Sequence, residues 1–357
     1  MDKNCLLYYR SALDLKLNCE LKDCINGFII HLAKKRYYIR GANVPFNLIT
    51  SVSPATNKFC VNKLLEESGI PVPKAAGISK KEFESNAFDL RDIKFPVVAK
   101  PPLDSGCGKD VFCNIKNEKI LRDYLKKMFN EHEFMLIEEF QPNLRSYRVL
   151  VFCNKIIGVV ERISAHVIGD GVHTLHTLIE MTNAKHQLLK DELSIGAIEM
   201  AEESQVLLQE MNMTINDIPQ AGQRVPLCYK CNSGVGGTIR TAENEICPEN
   251  TALVVKAARI LELELVGFDV LCEDISKPIG PTRGFIIEAN YNSDVTIHEK
   301  PTEGPGNCVT RTVLLELIKR HRFVYEWEKM KKYRPRILFF LKMILVLFSV
   351  FIFYRIT

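Results

Sequence analysis

The chain has 357 residues, 46% of them hydrophobic and 25% charged, which is the composition of a folded protein long enough for two or three lobes rather than a disordered one. Its net charge of +4 is misleading, because seven of the 47 Lys and Arg residues lie from Lys329 onward with no acid among them, leaving the rest near −3. A slightly acidic body carries no electrostatic footprint for nucleic acid, so that class of partner is excluded.

In chain order, residues 1–50 hold no apolar core of signal-peptide length but do hold "GFIIHLAKKRYYIRG", two short strand-like runs joined by a basic turn. "NKFCVNKLLEESGIPVP" predicts a helix closed by Gly69, with prolines that forbid continuation. "FPVVAKP" predicts a strand ending in Lys100, "LDSGCGKDV" a glycine-containing turn, "EKILRDYLKKMF" a helix, and "FMLIEEF" and "YRVLVFCNKIIGVVER" further strands. "TALVVKAARILELE" has helical spacing, and "LVGFDVLCED" and "GFIIEAN" are consecutive strands. Helices and strands mix without strict βαβ alternation, so the class is α+β.

The twelve cysteines are scattered singly through apolar contexts, as reduced thiols acting as small hydrophobes would be. Cys228 and Cys231 in "PLCYKCNSG" form a lone CxxC with no second pair at zinc-ribbon spacing, which argues against a metal or redox role. At the C-terminus the basic segment 329–336 precedes "ILFFLKMILVLFSVFIFY", Ile337 to Tyr354. The expectation is a single transmembrane helix with the body cytoplasmic by the excess of positive charge on its N-terminal side; a buried terminal helix is the alternative.

The chemistry concentrates in "RGFIIEANYNSD". Alternate side chains of a strand share a face, so Glu288 and Asn290 point together, and with Asp269 on the preceding strand they offer two carboxylates and an amide to Mg²⁺. Lys58 and Lys100 are candidate point charges on phosphate oxygens, and the Gly106 and Gly108 turn could lay backbone N–H groups over a phosphate. Solvated lysines and a plain hairpin are the bland alternatives. Glu138 and Glu139 could serve an adenine-ribose end, strand-edge solvation being theirs.

Taken in order, these blocks resemble the ATP-grasp family, above all the ATP-grasp domain of cyanophycin synthetase and of bifunctional glutathione synthetases, from about Arg40 to about Leu317. "IEEFQPNLRSYRVLVFCNKIIGVVERISAHVIGDGVHTLHTLI" and "IPQAGQRVPLCYKCNSGVGGT" carry the resemblance alongside the strands and helices above. It implies an ATP-grasp fold with an N-terminal lobe at 51–140 and a C-terminal lobe at 141–322, following a strand-rich segment at 1–50 and preceding the membrane helix at 337–354. It also implies an ATP-dependent carboxylate-amine ligase working through an acyl phosphate, with a small carboxylate and an amino acid or peptide amine as substrates.

By position, Lys58 and Lys100 would contact the nucleotide phosphates, Ser105, Gly106, Gly108 and Lys109 would close over them, and Glu138, Glu139 and Phe140 would line the adenine and ribose. Asp269, Glu288 and Asn290 would hold two magnesium ions, and Arg148, Arg162 and Arg224 would meet the carboxylate or the developing phosphate charge. Ordinary surface ion pairs are the alternative for the three arginines. Ser146 replaces a usual acid, Asp110 a usual glycine, "YNSD" follows "EAN", and "MTNAKHQLLKDELSIGAIEM" lacks the run found in cyanophycin synthetases. These departures keep open a noncatalytic nucleotide-binding scaffold at a membrane. A homo-oligomer also remains open.

Overall fold

The computed structural model describes residues 1–103, 110–190, 192–193, 195–280 and 282–356. The chain divides into two compact units, Gly41–Val309 and a second made of Met1–Arg40 with Thr310–Thr357.

The terminal unit begins with α1 (Lys3–Asp14), whose N-cap Asp2 accepts a hydrogen bond from the Cys5 amide and whose Cys5, Tyr8 and Ala12 face inward. It continues as the meander β1 (Asn18–Lys22), β2 (Gly27–Leu32) and β3 (Lys35–Ile39), paired antiparallel. The strand pair expected in "GFIIHLAKKRYYIRG" is therefore present. Its turn residues Ala33 and Lys34 both take positive φ, matching the twist of a two-residue hairpin.

The larger unit opens with α2 (Ile49–Ala55) and α3 (Lys58–Glu67). Asn57 caps α3 by accepting from the Phe59 and Cys60 amides, and the helix stops at Gly69, whose φ of 72° suits glycine. Next come β4 (Ala75–Ser79), α4 (Lys80–Glu84), β5 (Val97–Lys100), β6 (Phe112–Ile115), α5 (Glu118–Met128) and β7 (Phe134–Glu139). The strands form an antiparallel sheet in the order β4-β7-β5-β6. Helix α5 is capped by Asn117 and buries Leu121, Leu125 and Met128 against Val97, Ala99, Met135 and Ile137. At roughly 1.5–3 kcal/mol per buried large side chain, that stripe fixes the helix to one face of the sheet. The other face carries the charged pair Lys100 and Glu138 beside buried Leu136.

The central sheet runs β12-β9-β8-β13-β14, all antiparallel, from β8 (Arg145–Phe152), β9 (Lys155–Ile163), β12 (Thr238–Thr241), β13 (Leu265–Cys272) and β14 (Gly284–Asn290). Tyr147, Val149, Val151, Val266, Phe268, Val270 and Ile286 face α8 (Pro248–Ile260) and α3 in one core. Between β9 and β12 lies a smaller cluster, built by the two-stranded β10 (His166–Ile168) and β11 (Arg224–Pro226) with α6 (Leu175–Leu189) and α7 (Glu202–Glu210) around Val167, Leu175, Leu208 and Val225. Short α9 (Thr296–Glu299) follows β14. The α+β class is thus observed.

Two helices close the terminal unit, α10 (Val309–Arg320) and α11 (Arg322–Ile356). The expected transmembrane helix at 337–354 lies within α11, but among the described residues no helix is long and apolar enough to cross a membrane. The membrane reading is therefore not supported.

Candidate functional site

Strand alternation places Asp269 on the face of β13 opposite the core, and register sets it directly between Arg148 of β8 and Glu288 of β14. The pairing steps from Asp269↔Glu288 to Val270↔Ile286, so Ile287 is the extra residue of a bulge. Bulges re-aim side chains. This one lets Ile286 remain in the core while Glu288 meets Asp269.

Asp269 is 2% exposed, and both of its oxygens are engaged. Arg148 Nε donates to Oδ1, and an Arg162 guanidinium nitrogen donates to Oδ2 at 2.8 Å. Arg148 also donates to Ser293 Oγ at 3.1 Å, and Arg162 to Ser146 Oγ at 3.3 Å. Burial alone would raise the Asp269 pKa, but Arg148 and Arg162 outweigh it and hold the carboxyl below its ordinary value; a hydrogen bond with Glu288 acts the same way. Close approach is possible because residue 267 is glycine: a Cβ there would lie 2.1 Å from Ser293 Oγ.

Lys58, the first residue of α3, reaches Glu288 at 3.3 Å. Lys100 pairs with Glu138 at 2.6 Å on the face of the four-stranded sheet opposite α5. Burial works against the Lys100 charge, yet Glu138 and then Glu288 together raise its pKa. Glu288 therefore acts on both lysines. Asn290 flanks Glu288 across buried Ala289.

Lys58, Lys100, Glu138, Arg148, Arg162, Asp269, Glu288 and Asn290 thus form one neighbourhood. Others sit differently. Glu138 is the partner of Lys100, and its Oε1 has no hydrogen-bond partner among the described residues. Glu139 accepts from the Lys94 amide at 3.1 Å, closing a turn, while the Phe140 ring meets Tyr229 edge-on at 5.6 Å. Arg224 is exposed at the start of β11, in the smaller cluster, with no described contact to the carboxylates. Ser105, Gly106, Gly108 and Lys109 lie outside the described residues. Asp110, read as a carboxylate near phosphates, is engaged by His132 at 3.0 Å.

A divalent cation fits this donor set. Two carboxylates within hydrogen-bonding reach of each other need a proton or a cation between them, and a hard oxygen pair suits Mg²⁺. Asn290 adds an amide oxygen as a further donor to a cation, and its Nδ2 has no hydrogen-bond partner among the described residues.

Several neighbours escaped the sequence reading. Ser293 is one; the Cys231 thiol, which donates to the Tyr229 carbonyl at 3.9 Å and whose pKa is pushed up by burial, is another. His298 is buried, and neither ring nitrogen has a hydrogen-bond partner among the described residues. Its pKa is pushed down to about 3 by burial and then by Arg148. A Cβ at residue 158 would lie 2.6 Å from its Nδ1, so only glycine there admits the ring. A single serine, cysteine or histidine at these positions carries no pattern that one sequence makes visible. The CxxC pair has no sign of a reactive dithiol: burial pushes Cys228 up to about 11.

Residues 55–209 match the RimK-like ATP-grasp domain. The chain is 30% identical over 267 residues to cyanophycin synthetase of Trichormus variabilis, covering 74% of this chain and 29% of that protein. It is 27% identical over 286 residues to the glutathione biosynthesis bifunctional protein GshAB of Streptococcus agalactiae, covering 78% of this chain and 38% of that one. It thus spans about a third of the length of these relatives. In structure it is similar to a bifunctional glutathione synthetase from Pasteurella multocida, with a TM-score of 0.63 at 23% identity over 90% of this chain and 44% of the other. This likeness gives the fold. Domain match and fold agree: the chain carries a RimK-like ATP-grasp domain and has the ATP-grasp fold.

Proposed function

We propose that this protein is an ATP-dependent carboxylate-amine ligase that forms an amide bond through an acyl phosphate, with ADP and phosphate as products. The observation that carries the reading is the meeting of Asp269 and Glu288 beneath Lys58, Lys100, Arg148 and Arg162. In this reading Lys58 and Lys100 bind the nucleotide phosphates as point charges. Arg148 and Arg162, already oriented by Asp269, present planar donors to the substrate carboxylate and to charge developing on the transferred phosphoryl group. The catalytic contribution of the chain is positioning and charge neutralisation, since phosphoryl transfer asks for little else. Glu288, Asn290 and Asp269 are the residues that would hold Mg²⁺, which supplies Lewis-acid neutralisation of phosphate oxygens when bound. The acyl acceptor is an amino acid or a peptide amine.

The engagement of both Asp269 oxygens by arginine favours a second reading, a nucleotide-binding scaffold without turnover. One assay separates the two. ADP and phosphate release from ATP and Mg²⁺, with pooled amino acids and small carboxylates, is expected to depend on those additions, and mass spectrometry of the mixture identifies the amide. Nucleotide binding with no dependent turnover under any pool would refute the ligase and leave the scaffold.

A further inference from the structure

The segment 227–232, which carries the CxxC pair, follows the cleft residues from end to end. Tyr229 stands edge-on to Phe140, which ends the strand run of Glu138 and Glu139. The far end of the segment lies beside β9, the strand of Arg162: Gly237 is crowded by both the Asn232 and the Ile163 carbonyl oxygens, to which a Cβ there would stand at 2.7 and 2.6 Å. A strap therefore runs from the Phe140 end of the site to its metal-ligand end.

The strap is fastened to the four-stranded sheet at one place. Asn114 Nδ2 donates to the Tyr229 hydroxyl at 2.8 Å, and that hydroxyl donates to Glu210 Oε2 at 2.7 Å. Lys116 pairs with the other Glu210 oxygen at 3.0 Å. Asn114 faces the strap because β6 is bulged against β5, with Val97↔Ile115 stepping to Ala99↔Phe112 and Asn114 at a φ of 59°. Burial and Glu210 push the Tyr229 pKa up to about 12, so the hydroxyl stays a donor. On the far side Glu203 accepts from the Tyr229 amide at 2.8 Å, which ties the strap to α7. Glu203 and Glu210 bracket the tyrosine from one helix.

We infer that Tyr229 is a positioning residue that latches this strap across the nucleotide cleft, so that nucleotide leaves only when the Asn114–Tyr229–Glu210 contact opens. The inference rests on the nucleotide reading of the site. Opening swings the strap about its α7 end, uncovering the phosphate lysines and the Cys231 thiol together. The ring keeps Phe140 covered, while the hydroxyl sets the lifetime of the closed state.

The test uses the full chain and two readouts: stopped-flow dissociation of mant-ADP with Mg²⁺, and the rate at which iodoacetamide labels Cys231, read by peptide mass spectrometry without nucleotide. Tyr229→Phe removes two hydrogen bonds and keeps the ring; it is expected to release mant-ADP about tenfold faster and to label Cys231 several-fold faster, with an unchanged melting temperature. Asn114→Gly, which the left-handed backbone accepts, is expected to move both rates in the same direction and secures the result if Tyr229→Phe folds poorly. Normal mant-ADP binding with both rates unchanged in the two variants would overturn the latch alone. Failure of the unmodified protein to bind mant-ADP would overturn the nucleotide reading and the gate with it.

Discussion

Glu288→Gln is the substitution that discriminates most sharply, because the residue faces a carboxylate on one side and a lysine on the other. At 3.3 Å and an effective dielectric near 20, the Lys58 pair has a gross attraction of roughly 5 kcal/mol, opposed by repulsion of the same order from Asp269. Desolvation of the partly buried pair offsets most of what Lys58 and Lys100 contribute, so replacing the charge by an amide of the same shape is expected to change stability by no more than about 1–2 kcal/mol. Catalysis has no such cancellation. Loss of one of two adjacent carboxylates removes several kcal/mol of charge stabilisation at the proposed metal, on the order of a hundredfold or more in rate. The assay is Mg²⁺-dependent ATP turnover with the active substrate pool, measured with melting temperature on the same preparation. A Glu288→Gln protein that is destabilised yet fully active would refute the metal assignment and make Glu288 a structural partner of Lys58.

Asp269→Asn leaves Arg148 and Arg162 without their buried counter-charge and is expected to lower stability by about 3–5 kcal/mol in urea unfolding. Because the folded Asp269 pKa is depressed, its contribution is present above the ordinary carboxylate pKa and is lost as pH falls through the folded value; the variant should lack that part of the acid limb below roughly pH 4. His298 has the same sign of pH dependence for a different reason: the unfolded imidazole binds a proton that the buried one refuses, with its pKa at about 3. Between pH 7 and pH 5 the protein should lose about 2 kcal/mol that a His298→Asn variant does not lose, measured as the difference between their urea midpoints at the two pH values. Gly158→Ala drives a Cβ into that ring at 2.6 Å and should destabilise by about 1–3 kcal/mol, an effect that His298→Ala in the same chain relieves. Additive losses in the double variant would refute the contact.

What could be read in advance was whatever short-range rules write into a chain. Helix α3 was legible because Asn57, the apolar spacing and Gly69 are all local, and β14 because its alternation is. The same alternation put Glu288 and Asn290 on one face. The Asp269–Arg148–Arg162 contact was not legible, because it depends on the register of β13 against the β8–β9 hairpin, which lies more than a hundred residues earlier in the chain. Its absence from the sequence reading is why Asp269 was expected as an open metal ligand and is found with both oxygens occupied. Asn114 and Tyr229 were missed for a related reason: the bulge that aims one at the other is a property of the β5–β6 pairing. The apolar C-terminus differs from the expectation, since its composition invited a spanning helix and among the described residues no helix is long and apolar enough to cross a membrane.

The charges of the site explain how Asp269 can be fully engaged and still belong to a metal centre. Lys58, Lys100, Arg148 and Arg162 stand against Glu138, Asp269 and Glu288, an excess of one positive charge in a largely buried cluster. Such near-neutrality is what lets the ligand-free fold bury so many ionised groups, each of which alone would carry a desolvation penalty of several kcal/mol. It also means that the chain by itself does not neutralise a nucleoside triphosphate, which brings about four negative charges. On the proposed reading the shortfall is about three units, and two divalent ions close it. On the same reading Glu288, Asn290 and Asp269 would hold Mg²⁺, which would supply neutralisation of phosphate charge there, while Arg148 and Arg162, oriented by Asp269, would present their guanidinium donors to the phosphoryl group and the substrate carboxylate.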